Sequence, residues 1–121
     1  AALQGIIFYF KDALNQLRSG GSPVRSVHVS GGGAESEAWR QMIAGILDIP
    51  VIKPQVKECG ALGAAIVAGV GTRRYKSFDE AINGLVKIEN EFQPLPEHKK
   101  QYAVAFKHYS SLKTALSACK I

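Results

Sequence analysis

The chain has 121 residues and a formal net charge of +5, with 46% hydrophobic and 21% charged residues. This length suits one compact domain with a core, and the composition is ordinary for a globular protein. No apolar run approaches the roughly 18 residues that span a bilayer, and the basic residues are scattered rather than interleaved with aromatic ones. We therefore expect no membrane and no nucleic-acid partner.

The termini and the cysteines suggest a compartment. The first residues carry no basic leader, so they are not predicted to be a signal peptide, and the absent initiator Met predicts a piece of a longer protein. Cys59 and Cys119 lie far apart and form no CxxC pair, which indicates free thiols in a reducing environment. A cytoplasmic location is the resulting expectation.

The first half of the chain alternates helix and strand. Apolar residues at helical spacing predict a helix over residues 2–18, which a Gly, Ser and Pro cluster at 19–23 ends. A short strand is predicted over residues 24–30. Three glycines follow at once, and a second helix is predicted over residues 34–47.

The pattern continues with a second strand that begins at residues 51–52 and is closed by Pro54 and the polar stretch to Lys57, and with a third helix at 58–70. That third helix is built of small residues, so we expect it to be buried against the sheet or a neighbouring helix. After a loop, Ser77 and Glu80 form a capping-box pattern at the start of a short helix.

The last third predicts a short extended segment at residues 86–92 and a long final helix at 97–119. Strands that alternate with helices indicate an α/β layer with a parallel pair of strands. Two clear strands make a thin sheet, so further strands are expected in another part of the protein.

The glycine turn, defined as residues 31–34, lies between the first strand and the second helix. Glycine lets a ligand approach the main chain, and the helix that follows directs unpaired N–H groups at the turn. The turn is not a dinucleotide fingerprint, because position 36 is Ser36, and it is not a Walker A loop. From the spacing alone, a nucleotide contact and a tight turn without ligand both remain open.

Two motifs follow one another in the chain: the glycine turn with Ser36 and Trp39, and then Glu58 with residues 61–65. In this order they resemble the C-terminal domain of the FGGY carbohydrate kinases, most closely the xylulose kinases. Members of that family have a strand, Gly-Gly-Gly-Ala, a Ser, a Trp followed by Gln, a Pro-Val strand and Glu-x-x-Ala-Leu-Gly-Ala-Ala. The matching residues here are 31–34, Ser36, Trp39, Gln41, Pro50, Val51, Glu58 and 61–65, with a weaker match at Pro94, Pro96, Tyr102 and Tyr109.

The resemblance implies a fragment of the actin-like, ribonuclease-H-like ATPase fold, with residues 1–121 as one partial C-terminal domain and few parallel strands flanked by helices. It implies ATP in a cleft between two domains, with the glycine turn against adenosine and the α-phosphate. The implied nucleotide-binding residues are Gly31, Gly32, Gly33, Ala34, Ser36 and Glu37. Relatives often have an amide at position 37, where Glu37 could accept a ribose hydroxyl but would repel phosphate.

The family's catalytic Asp, phosphate loops and sugar-binding residues lie upstream of the matching segment. The resemblance therefore implies no catalytic residue here, with ATP and Mg²⁺ as cofactors, the metal held mainly by the rest of the protein. Xylulose is the expected sugar, while ribulose, gluconate and glycerol remain open, as does a homodimer. A non-catalytic actin-like assembly domain and a free-standing α/β domain for another nucleotide are the alternatives from other classes.

The remaining chemistry-bearing residues favour structural roles. Trp39 is predicted to lie on the buried stripe of its helix, Glu58 to interact with a helix dipole, and Gly63 to allow close packing. The histidines are isolated, which argues against a metal site; they are His28, His98 and His108.

Overall fold

The computed structural model describes residues 2–119. In that part of the chain the elements follow in the order α1 (Ala2–Ser19), β1 (Val27–His28), a 3-10 helix (Gly32–Glu35), α2 (Glu37–Leu47), β2 (Val51–Pro54), α3 (Cys59–Gly71), α4 (Phe78–Leu85), β3 (Ile88–Phe92) and α5 (Pro96–Ala118). None of these helices combines the length and the apolar character that crossing a membrane would require.

The sheet has β2 at its centre. β1 lies parallel to β2, with Val27 opposite Val51, which confirms the predicted parallel pair. The extended segment predicted at 86–92 is β3, and it runs antiparallel to β2 with Phe92 opposite Val51. The sheet is therefore mixed rather than parallel throughout.

β1 is shorter than the predicted strand at residues 24–30. It is bonded along one edge, where Val27 N donates to Pro50 O at 3.0 Å and Val29 N donates to Ile52 O at 2.9 Å. Because β2 follows directly after Pro50 and ends at Pro54, it offers a short ladder, and only two residues of β1 are in strand conformation.

The predicted helix at 34–47 is wrong at its start. Ser36 has an extended backbone (φ −80°, ψ 114°), and its hydroxyl accepts a hydrogen bond from Trp39 N at 3.3 Å. This is an N-cap, so α2 begins at Glu37. The residues before the cap form the separate 3-10 helix, and the glycine turn is thereby set apart from α2.

The core lies where α1, α2 and α5 meet the sheet. Its buried side chains come mainly from α1, α2 and β2, and are Ile7, Phe8, Leu14, Ile43, Ala44, Ile46, Leu47, Ile49 and Val51. The aromatic residues of α5 pack onto this cluster, with the Phe106 and Tyr109 rings 5.7 and 5.5 Å from the Phe8 ring. The core therefore holds α2, and the turn before it, from several sides.

α3 is the element that departs most from expectation. Among its described residues only Gly69 is buried, against the Tyr75 ring, and Val67 is 61% exposed. A Cβ at Gly63 would meet open space. The prediction that α3 is buried is confirmed only near its C-terminal end, where α3 contacts α4. The prediction of close packing at Gly63 is wrong, because within residues 2–119 no other element lies near that position.

The capping box before α4 is confirmed in a shifted form. The Ser77 hydroxyl accepts a hydrogen bond from Glu80 N at 3.2 Å, as expected. The Glu80 carboxylate accepts from Lys76 N at 2.7 Å instead of from the N–H of the cap residue itself.

Candidate functional site

The glycine turn begins at a residue whose conformation requires glycine. Gly31 has φ 82° and ψ −173°, a region that side-chain-bearing residues rarely adopt. The chain then closes one 3-10 turn, in which Ala34 N donates to Gly31 O at 2.9 Å. The side chain of Ala34 is buried, so the turn rests on the domain through Ala34 and presents its glycines outward.

The glycine turn carries amides that have no backbone partner in the described part of the chain. Gly32 and Gly33 are exposed, and their N–H groups donate no hydrogen bond to the backbone within residues 2–119. They lie in the 3-10 helix that precedes α2, whose N-terminal end carries the positive pole of the helix dipole. This arrangement can bind an anion or a hydroxyl-rich group through the main chain.

The two side chains predicted beside the turn differ in availability. The Ser36 hydroxyl is already used as the N-cap acceptor for Trp39 N. Glu37 is exposed in the first turn of α2, with its carboxylate near the positive helix end. Of these two, Glu37 is the side chain with free acceptor capacity.

A buried arginine supports the turn from behind. Arg40 is 5% exposed, and its Nη1 donates a hydrogen bond to the Ala34 carbonyl oxygen. Its guanidinium carbon lies 4.6 Å from the centre of the Phe92 ring on β3. Arg40 therefore joins the turn, α2 and the sheet at one point.

A buried lysine holds the end of the turn from the sheet side. Lys53 on β2 is 7% exposed, and its Nζ lies 3.3 Å from Glu35 Oε2 and 3.1 Å from the Glu89 carboxylate. Lys57 Nζ lies 3.8 Å from the other oxygen of Glu35. The Glu35 carboxylate thus has a cation at each oxygen.

These contacts shift both pKa values. The hydrogen bond from Lys53, with the charges of Lys53, Lys57 and Arg40, holds the pKa of Glu35 below its usual range against an opposing desolvation effect. The hydrogen bond to Glu89, followed by that to Glu35, raises the pKa of Lys53 although burial opposes this. Both groups are therefore charged at neutral pH.

An apolar cleft of about 560 Å³ opens beside the turn, between α1, β1 and α2. Trp39 lines it and also approaches the turn, since a Cβ at Gly33 would lie 3.6 Å from the Trp39 Nε1. Trp39 packs against the core as predicted, and its indole edge also borders the glycine turn.

The other candidates are not brought to the turn. Glu58 is exposed at the N-terminus of α3 and makes no side-chain capping bond. Cys59 and Cys119 are free thiols. In residues 2–119 no three His, Cys, Asp or Glu side chains come together in a way that could hold a metal ion.

Sequence reasoning missed Arg40 and Lys53, although each left a signal. Lys53 is two residues after Val51, so strand alternation places both on the inward face. Arg40 is three residues before Ile43 and four before Ala44, which puts a charge on the buried stripe of α2. A charged residue at an inward position requires a polar partner there.

The structure is an α/β domain in which the glycine turn joins a strand of a parallel pair to the following helices. Residues 1–72 match the family model "FGGY family of carbohydrate kinases, C-terminal domain". The chain therefore belongs to the FGGY family of carbohydrate kinases.

Known proteins agree with this assignment. The chain is 43% identical over 94 residues to an autoinducer-2 kinase from Yersinia enterocolitica, covering 78% of this chain and 18% of that protein. A xylulose kinase from Lactobacillus acidophilus superposes with a TM-score of 0.89 at 24% identity, covering 98% of this chain and 24% of the other. A gluconate kinase from the same organism gives 0.87 at 26% identity, with the same coverage.

The matches confirm the predicted fold class, an α/β fragment of the actin-like ATPase fold. The chain spans about a fifth to a quarter of the length of these kinases.

Proposed function

We propose that the chain supplies the adenosine side of an ATP site in a carbohydrate kinase. The contributing residues are Gly31, Gly32, Gly33, Ala34, Ser36 and Glu37. The observation that carries the proposal is the pair of exposed amides at Gly32 and Gly33 without a backbone partner, in the 3-10 helix that leads into α2, in a chain of this family.

These residues have different roles in the proposed nucleotide contact. The amides of Gly32 and Gly33 donate to the nucleotide, because Ala34 N is already bonded to Gly31 O. Gly31 provides the backbone geometry, and Ser36 fixes the start of α2. Glu37 accepts a ribose hydroxyl; its negative charge disfavours phosphate at that position, which keeps the phosphates on the turn.

The chemical step belongs to other parts of the protein. Transfer of the ATP γ-phosphate to a sugar hydroxyl requires a base and a metal-supported phosphate site. Residues 2–119 bring together no cluster that could hold Mg²⁺, so we assign no step of the reaction to a metal on this chain. The 121-residue chain alone is expected to bind nucleotide without turnover, in the cytoplasm where ATP is available.

The sugar is a separate proposal. The Gly-Gly-Gly-Ala, Ser and Trp-x-Gln pattern supports xylulose as the substrate. The xylulose kinase that superposes on this chain is similar to it in fold. The 43% identity to an autoinducer-2 kinase supports autoinducer-2 as a second candidate. Comparing kcat/KM of the whole kinase that contains this chain on xylulose, gluconate, glycerol and autoinducer-2 separates them; equal values on all four would contradict both.

The nucleotide proposal is tested by titrating the ¹⁵N-labelled chain with ATP to millimolar concentration. We expect shifts at the amides of residues 32–37, because these line the proposed contact. Adenosine should shift the same amides, whereas tripolyphosphate should shift fewer. The turn at Gly20 and Gly21 is an internal control, since its amides are bonded to the end of α1. Unmoved amides at 32–37 would refute the site in this chain.

A variant sharpens the titration. Gly32→Val adds a side chain where a Cβ meets open space, so it blocks ligand approach without a clash in the fold. Gly60→Val is the matched control, because Gly60 also has open space around its Cβ position but lies on α3. Nucleotide binding should be lost in the first variant and kept in the second.

A further inference from the structure

Arg40 is a buried cation that forms no direct ion pair with a carboxylate in the described part of the chain. Among the same residues its Nε is buried without a hydrogen-bond partner. The partners present are the Ala34 carbonyl and the Phe92 ring. Burying a charge costs several kcal/mol even after relaxation, so such a residue is a poor choice for stability alone.

Lys53 has a similar position on the opposite side of the turn. It is buried on the sheet and bridges Glu35, the last residue of the 3-10 helix, to Glu89 on β3. An apolar side chain at this inward position would fill the space without the desolvation cost. The contacts that Lys53 gains by being charged are those to the Glu89 and Glu35 carboxylates, and the second of these reaches the segment that follows the glycines.

The two cations hold consecutive residues of one short segment. Arg40 binds Ala34 through its carbonyl, and Lys53 binds Glu35 through its side chain. This segment is a short 3-10 helix whose Ala34 N donates back to Gly31 O, and its first residues are exposed glycines. Without outside support, glycines have more backbone freedom to lose than any other residue.

We propose that Arg40 and Lys53 are positioning residues that hold the glycine turn in the shape in which Gly32 and Gly33 present their amides. Their relevance to nucleotide affinity rests on the proposed function. Their effect on the turn itself does not, because it concerns the chain without ligand.

The ligand-free test uses NMR on four variants of the chain. Arg40→Met should lower the exchange protection of the Ala34 amide on the order of tenfold and move the Ala34 carbonyl ¹³C resonance, because a hydrogen bond from a charged donor is lost. The Ile46 amide in α2 should keep its protection. Lys53→Met should raise the pKa of Glu35, and Lys53→Arg should restore it.

Lys57→Met is the matched control for charge. It removes a cation from the same carboxylate, but Lys57 Nζ is 3.8 Å away on a largely exposed side chain. Ala34 protection should stay at the wild-type value in this variant. Loss of protection at Ala34 and Ile46 together in Arg40→Met would show a general stability role and overturn the proposal, as would no change at Ala34. If Arg40→Met does not fold, the Lys53 variants decide: Lys53→Met should lower the Ala34 protection and Lys53→Arg should restore it, and unchanged Ala34 protection in Lys53→Met would overturn the proposal.

Measurements of ATP affinity distinguish the positioning role of Arg40 and Lys53 from the proposed nucleotide site. With ATP, Arg40→Met and Lys53→Met should bind on the order of tenfold more weakly than wild type and Lys57→Met, because the amides must be ordered at the moment of binding. Wild-type binding with unchanged affinity in both variants would overturn the positioning role. Absence of binding in the wild type would refute the proposed function, and the Ala34 measurements would still decide the positioning role.

Discussion

α2 and α3 are both apolar helices that follow strands, yet they differ in what surrounds them. α2 is enclosed by α1, α5 and the sheet, and its Ala44 and Ile46 are fully buried. α3 meets α4 near one end and leaves Val67 61% exposed. The chain exposes 8420 Å² of surface, whereas a compact monomer of its mass exposes roughly 6300 Å². Both helices are apolar enough to favour burial. α2 is buried against other elements of this chain, whereas most of α3 is not.

The largest difference in stability is expected between a substitution in α2 and one in α3. Ile46→Ala is expected to reduce the free energy of unfolding by about 2–5 kcal/mol, because it removes a fully buried side chain and leaves a cavity. Val67→Ala on α3 is the control and should change it by less than about 0.5 kcal/mol. Urea unfolding followed by Trp39 fluorescence measures both; similar losses in both variants would contradict the contrast.

Alanine substitutions at one glycine in α2 and one in α3 should change the free energy of unfolding in opposite directions. A Cβ at Gly45 would lie 2.7 Å from Cε2 of Tyr102 on α5, so Gly45→Ala forces that ring to move. Overpacking costs about 1–3 kcal/mol, whereas alanine in a helix gains about 1 kcal/mol over glycine. We expect a net loss of about 1 kcal/mol in the free energy of unfolding, measured by urea titration.

The control is Gly63→Ala on α3, where the Cβ position is open. That change should increase the free energy of unfolding by about 0.5–1 kcal/mol, because only helix propensity changes. In a Tyr102→Leu background, Gly45→Ala should no longer destabilise the chain. A persistent loss there would show that the Tyr102 ring is not the obstacle.

The smallest effect should appear with pH. The pKa of Glu35 is lowered in the folded chain from its ordinary value of 4.5. Its contribution is therefore present above the unfolded pKa and is lost as pH falls through the folded pKa. The stability difference between wild type and Glu35→Gln should be constant near neutral pH and shrink below about pH 4.5. Urea midpoints between pH 3 and 7 measure this, and in a Lys53→Met background the pH dependence should weaken.

The glycine turn shows how far the sequence carries a site. Three consecutive glycines between a strand and a helix predicted a turn whose main chain a ligand could approach, and in the structure Gly32 and Gly33 are exposed with amides that donate no backbone hydrogen bond within residues 2–119. The supporting contacts were missed, because Arg40 and Lys53 act across 6 and 18 residues of sequence. Local periodicity gives their direction but not the partner that each one meets.

Ser36 and β3 are two further cases. Ser36 has the right chemistry for an N-cap, but Ala34 and Glu35 before it also allow a longer helix, and only the backbone geometry decided the boundary. β3 reads as an extended segment with charged residues, and all but Phe92 are exposed. It becomes a strand because β2 offers a free edge, which no property of residues 88–92 reveals.

The sequence by itself determined the order of helices and strands, the parallel pair, the glycine turn and the family, because each depends on short-range patterns and motif spacing. The tertiary structure decided the direction of β3, the exposure of α3 and the buried cations behind the turn. These depend on which surfaces meet, and burial is a property of a pair of surfaces. A sequence pattern describes one of them at a time.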